Sequence, residues 1–144
     1  MKRTKNPAKE AEYRKRAADL VAQMTLHEKV SQMLSWAPAI ERLGIPAYNW
    51  WSEGIHGIGR AGTATVFPQA IGMAAAFDED MMEQVGNAVG VEARGKYNMC
   101  RAHGDRDIFK GLTVWAPNIN IFRDPRSGRG HETYGEDPFL TSRL

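Results

Sequence analysis

The spacing of apolar residues predicts two helices at the start of the chain. In residues 9–22, apolar side chains recur about every three to four positions with charges between them, which predicts an amphipathic helix ending near Met24. Thr25 and Glu28 then have the spacing of a capping box, in which the hydroxyl and the carboxylate satisfy each other's backbone amides. A second helix is therefore expected from this point. Its apolar face comprises Leu26, Val30, Met33 and Leu34.

The rest of the chain alternates between predicted strands and helices. Extended apolar segments are expected at residues 47–51 and 112–117, and a short buried helix at 70–77. Asp78 is the expected N-cap of a long helix, and Asp137 followed by Pro138 predicts the start of a last helix. Strands that alternate with helices are typical of an α/β fold with parallel strands.

The number of predicted strands is too small for a closed parallel sheet. The chain has 144 residues, whereas a complete (β/α)8 barrel needs about 250. We therefore expect the fold class to be α/β, as the incomplete N-terminal part of a (β/α)8 TIM-like barrel. The expected domains are a basic N-terminal helical extension, 1–24, and a truncated first part of the barrel, 25–144.

Charge and composition exclude several classes of protein. Residues 1–16 hold seven basic and two acidic side chains, and the remaining residues hold twelve basic and fifteen acidic ones, so the positive excess belongs to one solvated helix. No nucleic-acid partner is expected. Cys100 is the single cysteine, expected to be a buried small hydrophobe, and excludes an internal disulfide. Without an apolar run of about 18 residues or a signal peptide, we expect no membrane association and a cytoplasmic location.

Two segments carry more polar and aromatic residues than folding needs, at 48–57 and 116–138. Both follow predicted strands, and ligands of α/β folds bind at the carboxyl ends of strands. Aromatic rings beside carboxylates and guanidinium groups suit sugar recognition, because rings pack on C–H faces while charged groups bind hydroxyls. A structural interpretation stays open for each segment. Glu53 is either a ligand or a loop brace, one of Trp50 and Trp51 is expected in the core, and the charges of residues 123–137 are expected mostly to form ion pairs.

Metal and phosphate chemistry have little support in the sequence. His56 and His131 have no second His or Cys at metal-ligand spacing, so no metal is expected. The glycines of residues 54–62 do not have the spacing of a phosphate-binding loop. No cofactor is expected.

The two polar segments together resemble the N-terminal part of family 3 glycoside hydrolases, which include β-glucosidases and β-xylosidases. The matching stretches are YNWWSEGIHG (48–57), ATVFPQAIGMAAAFD (64–78), VEARGKYN (91–98) and WAPNINIFRDPRSGRGHETYGEDPFLT (115–141). The resemblance implies a barrel followed by an α/β sandwich domain, and retaining hydrolysis of terminal β-linked sugars from oligosaccharides or other β-glycosides. It also implies that the nucleophile Asp and the acid/base carboxylate lie outside this sequence, so the chain alone is expected to be inactive.

The resemblance carries over three substrate-binding residues and no catalytic ones. Glu53 and Arg129 match family positions that bind the terminal sugar, and Trp115 is expected to form an aromatic wall of its pocket. Many β-glucosidases have Asp where this chain has Glu53, and the longer side chain should crowd the hydroxymethyl group of glucose. A β-xylosidase is therefore favoured over a β-glucosidase. Ser127 replaces a frequent Trp of the family, and the smaller side chain is expected to widen the acceptor side of the pocket. No oligomeric state is predicted. The alternative is a non-catalytic carbohydrate-binding or interaction module.

Overall fold

A computed structural model describes residues 6–144 of the chain. The first five residues, which belong to the predicted basic extension 1–24, lie outside the described part. The chain divides into two compact units, of which the first ends at Tyr48 and the second is Asn49–Leu144. We describe each unit separately.

The first unit begins with the two predicted helices. Helix α1 is Pro7–Gln23, and the Asn6 side chain caps it by accepting a hydrogen bond from the backbone of Lys9 at 3.3 Å. Helix α2 is Leu26–Ser31, and both bonds of the predicted capping box are present at its start. The prediction of α1 and of the start of α2 is confirmed.

Helix α2 and the strand expected at residues 47–51 are both shorter than predicted. The helix ends at Ser31, and the Gln32 side chain that follows donates to the Pro38 carbonyl at 2.9 Å. Met33 and Leu34 therefore lie outside the helix, and all members of the predicted apolar face are exposed. Strand β1, Trp36–Ala37, pairs with β2, Tyr48–Asn49, and a 3₁₀ helix, Glu41–Leu43, lies between them. The expected strand 47–51 is thus reduced to two residues.

Helices dominate the second unit. Helix α3 is Ala70–Ala74, α4 is Glu79–Ala102 and α5 is Pro138–Arg143, with a 3₁₀ helix at Gly130–Glu132. Asp78 caps α4 and Asp137 caps α5, each through hydrogen bonds from backbone amides to its carboxylate. These caps confirm the predicted starts of both helices.

The core of the second unit lies where α3 and the start of α4 meet the segment after the second 3₁₀ helix. Burial of Tyr134 against these helices raises the pKa of its hydroxyl. Arg143 of α5 donates two hydrogen bonds of 2.8 Å to Glu79 of α4, which fixes the end of the chain on the same core. The buried members of the cluster are Ala70, Met73, Ala74, Met82 and Tyr134.

The predicted strand 112–117 is wrong as a regular strand. Within it, Trp115 forms an isolated bridge, in parallel with Glu53, and its amide donates to the Ser52 carbonyl while its carbonyl accepts from the Gly54 amide. Trp50 and Trp51 follow the end of β2 at Asn49, so the alternation of faces expected for a strand does not apply to them. They are 47% and 46% exposed, and neither is in the core. Cys100 is only partly buried, near the end of α4, rather than fully buried.

Candidate functional site

The two segments with candidate chemistry meet at the bridge between Glu53 and Trp115. The Gly54 amide donates to the Trp115 carbonyl at 3.2 Å, and the Trp115 amide donates to the Ser52 carbonyl at 3.1 Å. A side chain at Gly54 would not fit, because a Cβ there would lie 2.5 Å from Cγ1 of Val114. The glycine therefore permits the close approach that brings the two segments together.

The Glu53 carboxylate is oriented but not enclosed. Its side chain is 32% exposed, Oε1 lies 3.6 Å from Nη1 of Arg60, and Oε2 accepts from the Ile55 amide at 3.4 Å. Arg60 in turn lies over the ring of Phe109, with 4.7 Å between Cζ and the ring centroid. The contacts of Arg60 with Glu53 and with Phe109 were not predicted from the sequence, although Arg60 is the charged side chain of the glycine-rich loop 54–62.

Trp115 forms an aromatic pair with Trp51. The ring centroids are 5.1 Å apart and the planes are tilted by 38°. Trp115 is 57% exposed, so its ring surface is open to solvent. An exposed indole that neighbours a carboxylate can pack on the C–H face of a sugar while the carboxylate accepts from its hydroxyls.

Arg129 lies with Trp115 along a groove of about 380 Å³. This volume falls within the range of small-molecule sites, about 300–1,000 Å³. Nε of Arg129 donates to Glu132 at 2.5 Å, and the glycine that follows Arg129 leaves room for the Phe122 ring, which lies 2.3 Å from where a Cβ would be. The other residues that line the groove are Ile55, Val114, Ala116, Pro117, Asn118 and Ile119.

The structure thus brings two of the three predicted residues to one groove and the third beside it. Trp115 and Arg129 line the groove, whereas Glu53 is joined to Trp115 through the backbone and lines a small neighbouring cavity with Ser52 and Arg60. The arrangement offers a carboxylate acceptor, a guanidinium donor and an aromatic face. These groups can bind and orient a polyhydroxylated ligand.

Two side chains of helix α4 bind the loop 58–65, which precedes groove residues 114–119 in sequence. Oε2 of Glu92 accepts from the Thr65 amide at 3.1 Å, and the Thr65 hydroxyl donates to Oε1 at 2.5 Å. One helical turn later, Lys96 donates to the carbonyls of Ile58 and Ala61 at 3.0 and 2.8 Å. This pair was not predicted, although its spacing of four residues places both side chains on one helix face.

Charged and histidine side chains of the two segments also have structural roles. Arg126 binds Asp124, lowers the pKa of that carboxyl, and has its own pKa raised by the same contact. Together with the contact between Arg129 and Glu132, this pair supports the expected ion pairing within residues 123–137. Nδ1 of His56 lies 2.8 Å from the Phe67 carbonyl.

Among residues 6–144, no three His, Cys, Asp or Glu side chains are grouped to hold a metal ion, and no helix is long and apolar enough to span a membrane.

Residues 16–144 match the sequence model of the glycosyl hydrolase family 3 N terminal domain. The chain is 51% identical over 137 residues to probable beta-D-xylosidase 7 of Arabidopsis thaliana, covering 88% of this chain and 17% of that protein. It is 49% identical over 131 residues to the xylan 1,4-beta-xylosidase of Xylanibacter ruminicola, covering 90% of this chain and 15% of that protein. The chain therefore spans about a sixth of the length of these relatives.

Two solved structures have a similar fold over the same region. One is the GH3 exo-beta-xylosidase XlnD in complex with a xylobiose aziridine probe, with a TM-score of 0.73 and 37% identity over 89% of this chain and 17% of that one. The other is the GH3 beta-glucosidase of Bifidobacterium adolescentis, with a TM-score of 0.64 and 30% identity over 85% of this chain and 17% of that one.

Proposed function

Because this chain belongs to glycosyl hydrolase family 3 through the N-terminal domain of that family, we propose that it supplies sugar-binding residues of a glycosidase. The family predicted from the sequence motifs is confirmed. For the fold, we propose the first part of a (β/α)8-like barrel, in which the segments at Glu53 and Trp115 are neighbouring strand ends. Their parallel bridge supports this arrangement.

The proposed reaction is retaining, exo-acting hydrolysis of a terminal β-linked sugar, with xylose preferred over glucose. Two carboxyl groups about 5–5.5 Å apart carry out such a reaction, one as nucleophile and one as acid/base. The xylosidase names of the relatives support the choice of sugar. Glu53 supports it as well, because its carboxylate reaches one methylene further than the Asp of many β-glucosidases and leaves less room for a hydroxymethyl group.

The residues of this chain act on the sugar by binding and orienting it. Glu53 accepts hydrogen bonds from ring hydroxyls, Arg129 donates to them, and Trp115 packs on the C–H face. By holding the sugar ring in a distorted conformation, these side chains stabilise the transition state, but they take no part in breaking the bond. The observation that carries the proposal is that Trp115 both pairs with Glu53 and lines the groove with Arg129.

A second candidate function is a non-catalytic carbohydrate-binding module. The groove and the exposed pair of Trp51 and Trp115 favour it, because they need no catalytic carboxylate to hold a sugar. The two functions differ in turnover rather than in binding.

The experiment compares the protein expressed from the complete gene with the 144-residue chain. Hydrolysis of an aryl β-D-xyloside and binding of xylose, followed by tryptophan fluorescence, are measured for both. The glycosidase proposal predicts turnover by the complete gene product and none by the 144-residue chain. Xylose binding without turnover by the complete gene product would favour the binding module, and absence of both would contradict both functions.

A further inference from the structure

Arg60 lies between an aromatic ring and a carboxylate. Its Cζ is 4.7 Å from the centroid of the Phe109 ring, and its Nη1 is 3.6 Å from Oε1 of Glu53. A guanidinium over a ring face at this distance is attracted by the ring quadrupole. The ring therefore holds the cation where it faces the Glu53 carboxylate.

The Phe109 ring is itself held by an unusual backbone conformation. Phe109 has φ of +65°, in the left-handed region that bulky residues rarely adopt. Its amide donates to the Trp51 carbonyl at 2.9 Å, two residues before Glu53. Such conformations persist where the surroundings determine them and are frequent at functional sites. The ring is thus fixed relative to the backbone that carries the carboxylate.

Lys96 of α4 fixes the loop that carries Arg60. It donates to the carbonyls of Ile58 and Ala61, on either side of Arg60 in sequence. The Arg60 side chain is nevertheless 61% exposed, so burial does not hold its guanidinium group. The loop backbone and the Phe109 ring determine where that group lies.

The distance between Arg60 and Glu53 decides what the contact does. At 3.6 Å it is an ion pair but too long for a hydrogen bond. A carboxylate has about four lone-pair positions, and the Ile55 amide uses one of them in Glu53. Arg60 orients the group electrostatically and leaves the other positions for sugar hydroxyls. We propose that Arg60, held over Phe109, is a positioning residue for Glu53 and thereby strengthens the binding of the terminal sugar. This inference rests on the proposed function of Glu53 as a sugar ligand.

The test is a double-mutant cycle in the protein expressed from the complete gene. Arg60→Met and Glu53→Gln are made singly and together, and KM and kcat for an aryl β-D-xyloside are measured with the dissociation constant of xylose. Arg94→Met is the matched control, because Arg94 also lies over an aromatic ring, that of Tyr97 on α4. Arg60→Lys keeps the charge without the planar group.

We expect Arg60→Met to raise KM about tenfold with a smaller change in kcat, because it removes interactions that position bound sugar. In the Glu53→Gln background the same substitution should change KM and xylose binding by less than about twofold. Arg60→Lys should be intermediate, and Arg94→Met should have no effect.

Equal effects of Arg60→Met in both backgrounds would overturn the positioning role, since Arg60 would then act independently of Glu53. No effect of Arg60→Met in a protein that Glu53→Gln impairs would overturn it as well. If Glu53→Gln changes neither KM nor xylose binding, the proposed function of Glu53 fails instead. Xylose binding can be measured even for a variant whose turnover is too slow to follow, so all members of the cycle can be compared.

Discussion

Glu53 and Trp115 are paired in parallel, and the bonds on either side of this bridge run between Gly54 and Trp115 and between Trp115 and Ser52. The pairing sets a carboxylate beside an exposed indole, although the two residues lie in segments far apart in sequence. A sugar-binding role for either residue depends on this backbone contact.

Gly54→Ala should disrupt the pairing. The added Cβ would lie 2.5 Å from Cγ1 of Val114, a branched side chain with little freedom to move. We expect a loss of about 1–3 kcal/mol in the free energy of unfolding, measured by urea denaturation. Gly90→Ala in α4 is the control, because nothing lies within 4 Å of its Cβ, and it should stabilise the helix by about 0.5–1 kcal/mol. Equal effects of the two substitutions would contradict the close approach.

Ser52→Ala should stabilise the protein. The Ser52 residue is 5% exposed, and its hydroxyl has no hydrogen-bond partner among residues 6–144. Removing a buried unpaired hydroxyl should raise the free energy of unfolding by about 1 kcal/mol. Thr133→Val is the matched control, since the buried Thr133 hydroxyl donates to the Gly130 carbonyl at 2.7 Å. It should lower the stability by about 1–3 kcal/mol, and a destabilising Ser52→Ala would show that the Ser52 hydroxyl is paired in solution.

Arg42 should control the titration of Glu28 in the first unit. Its hydrogen bonds, with that from the Thr25 amide, lower the pKa of Glu28 from 4.5 to about 2. Because the folded-state pKa is lowered, the stabilisation by this pair is present above pH 4.5 and is lost as the pH falls toward about 2. In an NMR titration, Arg42→Met should move the pKa of Glu28 back toward 4.5.

Arg143→Met is the control for that titration. Arg143 lowers the pKa of Glu79 in the second unit, so its removal should raise the pKa of Glu79 and leave that of Glu28 unchanged. A Glu28 titration that is the same with and without Arg42 would refute the assignment.

Glu92→Ala should free the Thr65 amide. The carboxylate accepts from this amide at 3.1 Å and receives the Thr65 hydroxyl as well. We therefore expect faster hydrogen exchange at Thr65 with little change in the global stability. Asp80→Ala, an exposed acidic residue at the start of the same helix, should leave this exchange rate unaltered, and protection that survives Glu92→Ala would argue against the contact.

Local sequence signals predicted where the helices begin, whereas the second helix and the helix expected at 70–77 end earlier than predicted. The capping side chains of Thr25, Asp78 and Asp137 form hydrogen bonds within a few residues, so their effect can be read from neighbouring positions. The strand predicted at 112–117 does not form as a regular strand, because strand formation depends on partners far away in the chain. The contacts of Arg60 with Phe109 and of Lys96 with the loop carbonyls were not predicted for the same reason. The roles of Glu53, Trp115 and Arg129 as sugar ligands remain predictions. The structure shows where these three side chains lie.

The substrate preference of Glu53→Asp tests the central claim most directly. The ratio of kcat/KM for an aryl β-D-xyloside to that for the matching β-D-glucoside is measured in the protein expressed from the complete gene. The shorter carboxylate should make room for the hydroxymethyl group of glucose, so we predict a ratio above one for the unaltered protein and a lower ratio for Glu53→Asp. A preference for the glucoside in the unaltered protein, or a ratio that Glu53→Asp does not change, would contradict the claim that Glu53 selects a pentose.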